Sequence, residues 1–209
     1  DNALSALQQS AALPRLEPTF SYEGLLRGDA VVPDPLTAVE RLPISRTHFR
    51  QLQSMLVEGV EKGEDLYGHL PQQLLHRDYD PSNILMEDQQ VTAVLDFEFA
   101  GIDLRVMDLC VALSWWPFNV MGTGKEWAVI DAFAVAYATD FHLNEEERHA
   151  IPDVLRLREA GGLIHHMQRY FAGMETDVRI KAQVEQALWK EAWLLAHGKT
   201  LREHAMTWG

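Results

Sequence analysis

Cysteine is nearly absent from this chain: Cys110 is the single one in 209 residues. A lone thiol excludes an internal disulfide framework and fits a reducing compartment, so a cytoplasmic location is expected. No apolar run reaches the roughly 18 residues that a membrane-spanning helix requires. Positive charge is scarce as well. The 18 Lys and Arg against 31 Asp and Glu leave a formal net charge of −13. That balance disfavours nucleic acid and anionic membranes, because a phosphate surface needs a basic face. No internal repeat and no low-complexity tract is present. The amino-terminal stretch DNALSALQQSAALPRLEP has neither the basic segment nor the apolar core of a secretory signal. It opens in mid-pattern, as though cut from something longer. What remains is an ordinary globular composition, 47% hydrophobic and 23% charged, with enough length for one large core or two small ones.

Leu4, Leu7 and Ala11 recur at helical spacing ahead of Pro14, which predicts a helix near residues 3–12. Residues 14–43 hold five prolines and two glycines and read as a long irregular connection. Ser45 is the predicted N-cap of an amphipathic helix carrying Phe49, Leu52, Met55, Leu56 and Val60. Three short apolar runs follow: Leu74-Leu75, Ile84-Leu85-Met86 and Val91–Phe97. The EDQQ between the last two signals a hairpin turn. From Leu104 onward the pattern is helical. Val106, Leu109, Cys110 and Leu113 form one stripe, on which Cys110 is an inert packing residue. A second helix is predicted over Lys125 to Phe141, and Asn144 with Glu147 makes a capping pair for a third over Glu145 to Phe171. Pro152 and Gly161-Gly162 predict a kink or break in that third helix. A last helix is expected from about Thr176 to Ala205. The fold class is α+β, mainly α: a helical domain with one small β-hairpin.

The segment LLHRDYDPSNILM sets His76, Arg77, Asp78, Tyr79, Asp80 and Asn83 between two apolar runs. The hairpin brings Asp96, of Asp96-Phe97-Glu98, back beside Asn83, and Asp108 opens the next helix. A carboxylate and an amide oxygen are hard ligands that suit Mg²⁺, with water and phosphate oxygens filling the rest. Asp78, outside that metal shell, is placed to accept a proton from a substrate hydroxyl. Phosphoryl transfer needs this division of labour, because its catalysis is mostly positioning and charge neutralisation. His165-His166, His142 and His149 lack zinc-ligand spacing. A metal-dependent hydrolase would need a tighter carboxylate cluster.

H-R-D-x-x-x-x-N followed by D-F resembles the catalytic-loop and metal-loop signature of protein-kinase-like enzymes. The fuller strings LLHRDYDPSNILM and VLDFEFAGIDLRVMDLCVAL look more like the small-molecule branch. That branch comprises aminoglycoside phosphotransferases, choline and ethanolamine kinases and type II homoserine kinases. The resemblance implies Asp78 as catalytic base, Asn83 and Asp96 as Mg²⁺ ligands, and His76 and Asp108 as supports of the loop. Arg77, Glu98 and Trp116 are offered as contacts for phosphate or substrate. It also implies ATP as co-substrate and a small-molecule acceptor: homoserine, choline or a related amino alcohol, or an aminoglycoside. DFEFAG leans toward the choline- and homoserine-kinase side.

The same resemblance implies that the chain is the C-terminal lobe of a protein-kinase-like fold. Residues 1–73 would be helices and connection, 74–103 the catalytic and metal loops, and 104–209 a helical substrate-binding subdomain. The N-terminal lobe is expected to be absent. No Gly-rich loop precedes the catalytic segment, YEGLLRGDA has its glycines at the wrong spacing, and Lys62 falls on a helix. The 209 residues alone are therefore expected to bind nucleotide poorly and to be inactive. The rival expectation is a non-catalytic kinase-like domain that binds or scaffolds.

Overall fold

The computed structural model describes residues 21–115 and 117–208. The helix expected near residues 3–12, and Trp116, lie outside the described residues. In chain order the elements are α1 (Tyr22–Arg27), α2 (Pro35–Ala38), α3 (Arg46–His69), β1 (Gln72–Leu75), β2 (Ile84–Glu87), β3 (Gln90–Val94), β4 (Gly101–Leu104), α4 (Met107–Trp115), α5 (Glu126–Asp140), α6 (Glu145–Phe171) and α7 (Asp177–Ala205). The mainly helical α+β class is as expected. No helix among the described residues is long and apolar enough to cross a membrane. The chain divides into two compact units.

One unit gathers Leu70–Ile151 with the described residues beyond Leu201. Its hairpin forms where the apolar runs predicted it: β2 pairs antiparallel with β3, from Ile84 opposite Val94 to Glu87 opposite Gln90. Asp88 and Gln89 turn the chain at φ +48° and +64°, the doubly positive geometry of a two-residue hairpin loop. A second two-stranded sheet was not anticipated. β1 pairs with β4, setting Gln72 opposite Leu104 and Leu75 opposite Gly101. Gly and Asp are poor strand formers, so GIDL carries no local strand signal. Tertiary contacts make it a strand: a Cβ on Gly101 would overlap the Arg77 guanidinium, and Asp103 receives Arg77 Nη1 at 3.4 Å with both side chains buried. α4 is buried on nearly every side, including the Cys110 thiol. Asn144 and Glu147 cap α6 reciprocally, with bonds of 2.8 and 2.9 Å, and the Glu147 carboxylate also takes the Arg105 guanidinium.

The other unit gathers Tyr22–His69 and Pro152–Leu201, and it is helical. The prolines predicted little regular structure up to Pro43, yet the described part carries α1, α2 and a 3-10 turn at Val39–Arg41. Pro35 sits in the first turn of α2, where a missing N–H costs nothing. Asp34 Oδ1 caps the amides of Leu36 and Thr37 at 3.1 and 3.3 Å. α3 starts as expected, with Ser45 Oγ accepting the His48 amide at 3.1 Å.

α6 runs unbroken through Pro152 and Gly161-Gly162, so of the expected kink or break the break does not occur. The glycine at 161 serves packing: a Cβ there would lie 2.8 Å from Tyr22 Cδ1 and 3.3 Å from the Tyr22 carbonyl oxygen. Gly59 of α3 likewise stands where a Cβ would be 3.2 Å from Ala160 Cβ. Bare backbone at these points lets α1 and α3 approach α6 closely. Polar clamps then hold three helices together. Arg156 of α6 reaches Glu191 of α7 and Glu58 of α3, while Glu159 accepts Lys190 Nζ and Arg158 Nη1, each at 3.0 Å. Burial alone would raise the Glu159 carboxyl, but Lys190 and Arg158 hold it below the usual carboxylate range.

The two adjacent glycines of α6 separate packing from propensity. Gly161→Ala is expected to lower stability by about 1–3 kcal/mol through overpacking against Tyr22. Gly162→Ala, whose Cβ would have its nearest neighbour 3.9 Å away, should raise it by up to about 1 kcal/mol from helix propensity. Urea denaturation midpoints of the two variants should move in opposite directions.

Candidate active site

β1 ends at the buried Leu75, and the next two backbone amides turn toward one carboxylate. His76 N–H donates to Asp108 Oδ2 at 3.1 Å and Arg77 N–H to Asp108 Oδ1 at 2.7 Å. Asp108 stands in the first turn of α4. Burial pushes its carboxyl above the usual range, against the two amide bonds that favour its charge. One side chain thus ties the end of a strand to the start of a helix.

His76 makes a second tie. Nε2 lies 2.8 Å from the Leu95 carbonyl oxygen and Nδ1 lies 3.2 Å from the Asp78 amide. A carbonyl only accepts and an amide only donates, so the hydrogen sits on Nε2 and Nδ1 accepts. The ring meets Phe97 edge-on, with centroids 4.6 Å apart.

Arg77 makes the third tie. It sits at φ +66°, a left-handed conformation costing a non-glycine residue about 1–2 kcal/mol. Its buried guanidinium donates from Nε to the Phe99 carbonyl at 2.6 Å and reaches Asp103. The sequence offered Arg77 as a contact for phosphate or substrate; its guanidinium is instead turned into the interior of this unit, holding the chain after Asp96.

Asp78 follows these braced residues. Asn83, in a 3-10 turn capped by Asp80, gives its amide hydrogens to Asp78: Nδ2 lies 2.9 Å from the Asp78 carbonyl oxygen and 2.8 Å from Oδ2. With Nδ2 so engaged, Oδ1 of Asn83 remains an acceptor. The backbone of Asn83 accepts the Leu95 amide at 2.8 Å, which puts Asp96 one residue beyond that pairing. Asp96 is exposed and takes φ +62°, ψ +67°, and its side chain caps nothing. Glu98 is exposed in the following turn.

Among the described residues no group of three or more His, Cys, Asp and Glu could hold a metal ion. A site of one amide oxygen and one carboxylate fits Mg²⁺, which binds through one or two protein ligands and keeps positions for water and phosphate. Outward-facing apolar side chains lie along the hairpin and just after it: Leu85, Met86, Val91, Leu95 and Phe97. Sequence reasoning missed Asp103, Gly101 and the Leu95 carbonyl. No local spacing marks them, because each acts on a partner about 20 residues or more away.

Comparison with known proteins bears on the family. The model of the phosphotransferase enzyme family matches residues 3–152. The homoserine kinase of Polaromonas naphthalenivorans (strain CJ2) is 32% identical over 90 residues, 43% of this chain and 28% of that protein. That of Phenylobacterium zucineum (strain HLK1) is 35% identical over 83 residues, 40% of this chain and 25% of that protein. That of Methylobacillus glycogenes is 36% identical over 84 residues, 40% of this chain and 26% of that protein. The matched part spans about a quarter of the length of these relatives.

The Asp108 tie can be tested without turnover. In Asp108→Asn the side-chain NH₂ must face one of the two backbone N–H groups, leaving that donor unpaired. A stability loss of about 1–3 kcal/mol is expected, with hydrogen exchange at the His76 or Arg77 amide accelerated by about tenfold or more. Unchanged exchange at both amides would show that something other than this carboxylate holds them.

Proposed function

The chain belongs to the phosphotransferase enzyme family, and we propose that it works with ATP and Mg²⁺ to phosphorylate a hydroxyl of a small molecule, homoserine foremost. The observation that carries the reading is the Asp78–Asn83 pair. Asn83 spends its hydrogens on Asp78, which orients that carboxylate and turns the amide oxygen to other use. Asn83 Oδ1 and the Asp96 carboxylate would hold Mg²⁺, which supplies charge neutralisation on the phosphates. Asp78 orients the acceptor hydroxyl and takes its proton as the oxygen bonds to the γ-phosphorus and the bond to ADP breaks. His76 and Asp108 act on none of these atoms; they keep Asp78 in place. Glu98, exposed beside Asp96, is available to a cationic acceptor group. The apolar residues on and after the hairpin suit the flat face of a nucleotide base.

Homoserine leads because the matched relatives bear that name. Choline or another amino alcohol and an aminoglycoside are the other acceptors, since the motif is indifferent to the acceptor. The non-catalytic reading has one observation in its favour. The described residues set no strand ahead of Gln72, so none of them offers a strand lysine for the α- and β-phosphates. The 209 residues by themselves are accordingly proposed to bind ATP weakly and to turn over slowly.

Two measurements test this. Calorimetry of the chain with Mg²⁺ and ATP should give a dissociation constant of about 1 mM or weaker; micromolar affinity would overturn the weak-binding reading. Stoichiometric enzyme, with phosphorus NMR as readout, should convert homoserine, and Asp78→Asn should slow that step about 10²- to 10⁴-fold. Transfer undiminished in that variant would remove Asp78 as the base. No transfer to any of the three acceptors would favour the binding reading.

A further inference from the structure

Three local choices around the catalytic segment run against backbone preference, and all three lead to one guanidinium. Arg77 takes a positive φ, while Gly101 and Asp103 are poor strand formers placed in β4. A Cβ at Gly101 would lie 2.4 Å from Arg77 Nη2. Asp103 is fully buried, with Oδ2 3.4 Å from Arg77 Nη1 and Oδ1 accepting the Leu104 amide at 2.8 Å. Local rules broken together for one group point to a use for that group.

Stability is a poor account of the use. A buried ion pair costs desolvation on both sides, and apolar residues of similar volume fill such a space as well or better. What an apolar pair cannot do is hold a carbonyl. Arg77 Nε donates to the Phe99 carbonyl at 2.6 Å. Phe99 closes the 3-10 turn Phe97–Phe99, at whose N-cap position Asp96 stands. The turn is one short unit, its Phe97 carbonyl accepting the Ala100 amide at 3.0 Å. Fixing its last residue therefore fixes the direction in which the Asp96 carboxylate leaves the chain. Asp103 is itself held by strand register, opposite Gln73 of the strand that leads into Arg77. Its carboxylate gives the guanidinium both a counter-charge and an orientation.

On the reading that Asn83 and Asp96 ligate the metal, we propose that Asp103 is a positioning residue for Asp96. It acts through the Arg77 guanidinium and the Phe99 carbonyl, and this relay sets the affinity of the site for a divalent cation. Groups that orient a ligand from behind are typically worth about 10- to 100-fold in metal affinity.

Mn²⁺ titrated into the isotope-labelled chain reports the site locally, by broadening the amide signals of Asn83 and Phe97. Asp96→Asn should raise the broadening midpoint at both signals. Arg77→Met combined with Asp103→Leu removes the relay and leaves apolar packing in its place. The urea midpoint of that double variant should stay near the wild-type value, while its Mn²⁺ midpoint rises about tenfold or more. A double variant as stable as the wild type that binds Mn²⁺ equally well would overturn the proposal and leave the metal reading standing. Indifference to Asp96→Asn would instead remove the metal reading, and the proposal with it. Where the double variant fails to fold, Asp103→Asn decides by hydrogen exchange. The Ala100 amide, inside the turn, should exchange about tenfold faster or more. The Leu95 amide, held by the Asn83 carbonyl at 2.8 Å, should not. Equal change at both amides, or none at either, would overturn the proposal.

Discussion

Everything near Asp78 depends on one carboxylate accepting two consecutive backbone hydrogens. Asp108 lies in the first turn of a helix, where the partial positive end favours an anion, and it draws the His76 and Arg77 amides onto its two oxygens. Arg77, at a positive φ, turns the chain just after the second of these amides. The direction in which Asp78 leaves that turn is set from beneath, by Asp108, His76 and Arg77. Burial works against the arrangement by favouring a protonated Asp108, and the two amides offset it only in part.

The loop after the hairpin is fixed by the same turn from its other side. His76 holds the Leu95 carbonyl, and Arg77 holds the Phe99 carbonyl and Asp103. Asp96 lies between these anchors, itself at positive φ. Left-handed residues cost energy, so a pair of them persists only where the surroundings over-determine the backbone. Here the surroundings are each other's anchors. A shift at Asp96 has to pass through His76 or Arg77, which is how residues 18 positions apart in sequence come to be positioned as one.

Much of this was legible because it rests on local chemistry. Ser45, Asn144 with Glu147, and Thr176 are caps that act within three residues, and the helices they open start within one residue of expectation. α5 was expected over Lys125 to Phe141 and spans Glu126–Asp140. The hairpin followed from two apolar runs and a polar turn. β4 escaped because its reasons are remote: a buried arginine 24 positions earlier needs Gly101, and that arginine's charge needs Asp103. The burial of Arg77 was hidden for the same cause, since nothing adjacent to it says that a counter-charge waits inside the unit. The glycines of α6 read as a weak point because the sequence does not display Tyr22, whose ring fills the space that Gly161 leaves.

The hairpin has a colloidal consequence. Among the described residues β2 and β3 pair only with each other, so each keeps an open edge, and Leu85, Met86 and Val91 point outward from them. Open, apolar edges are templates for strand addition between molecules. The excess of 31 acidic over 18 basic residues is what holds such edges apart near neutral pH. As carboxylates take up protons that barrier falls, and aggregation through the hairpin can begin while the helices are still folded.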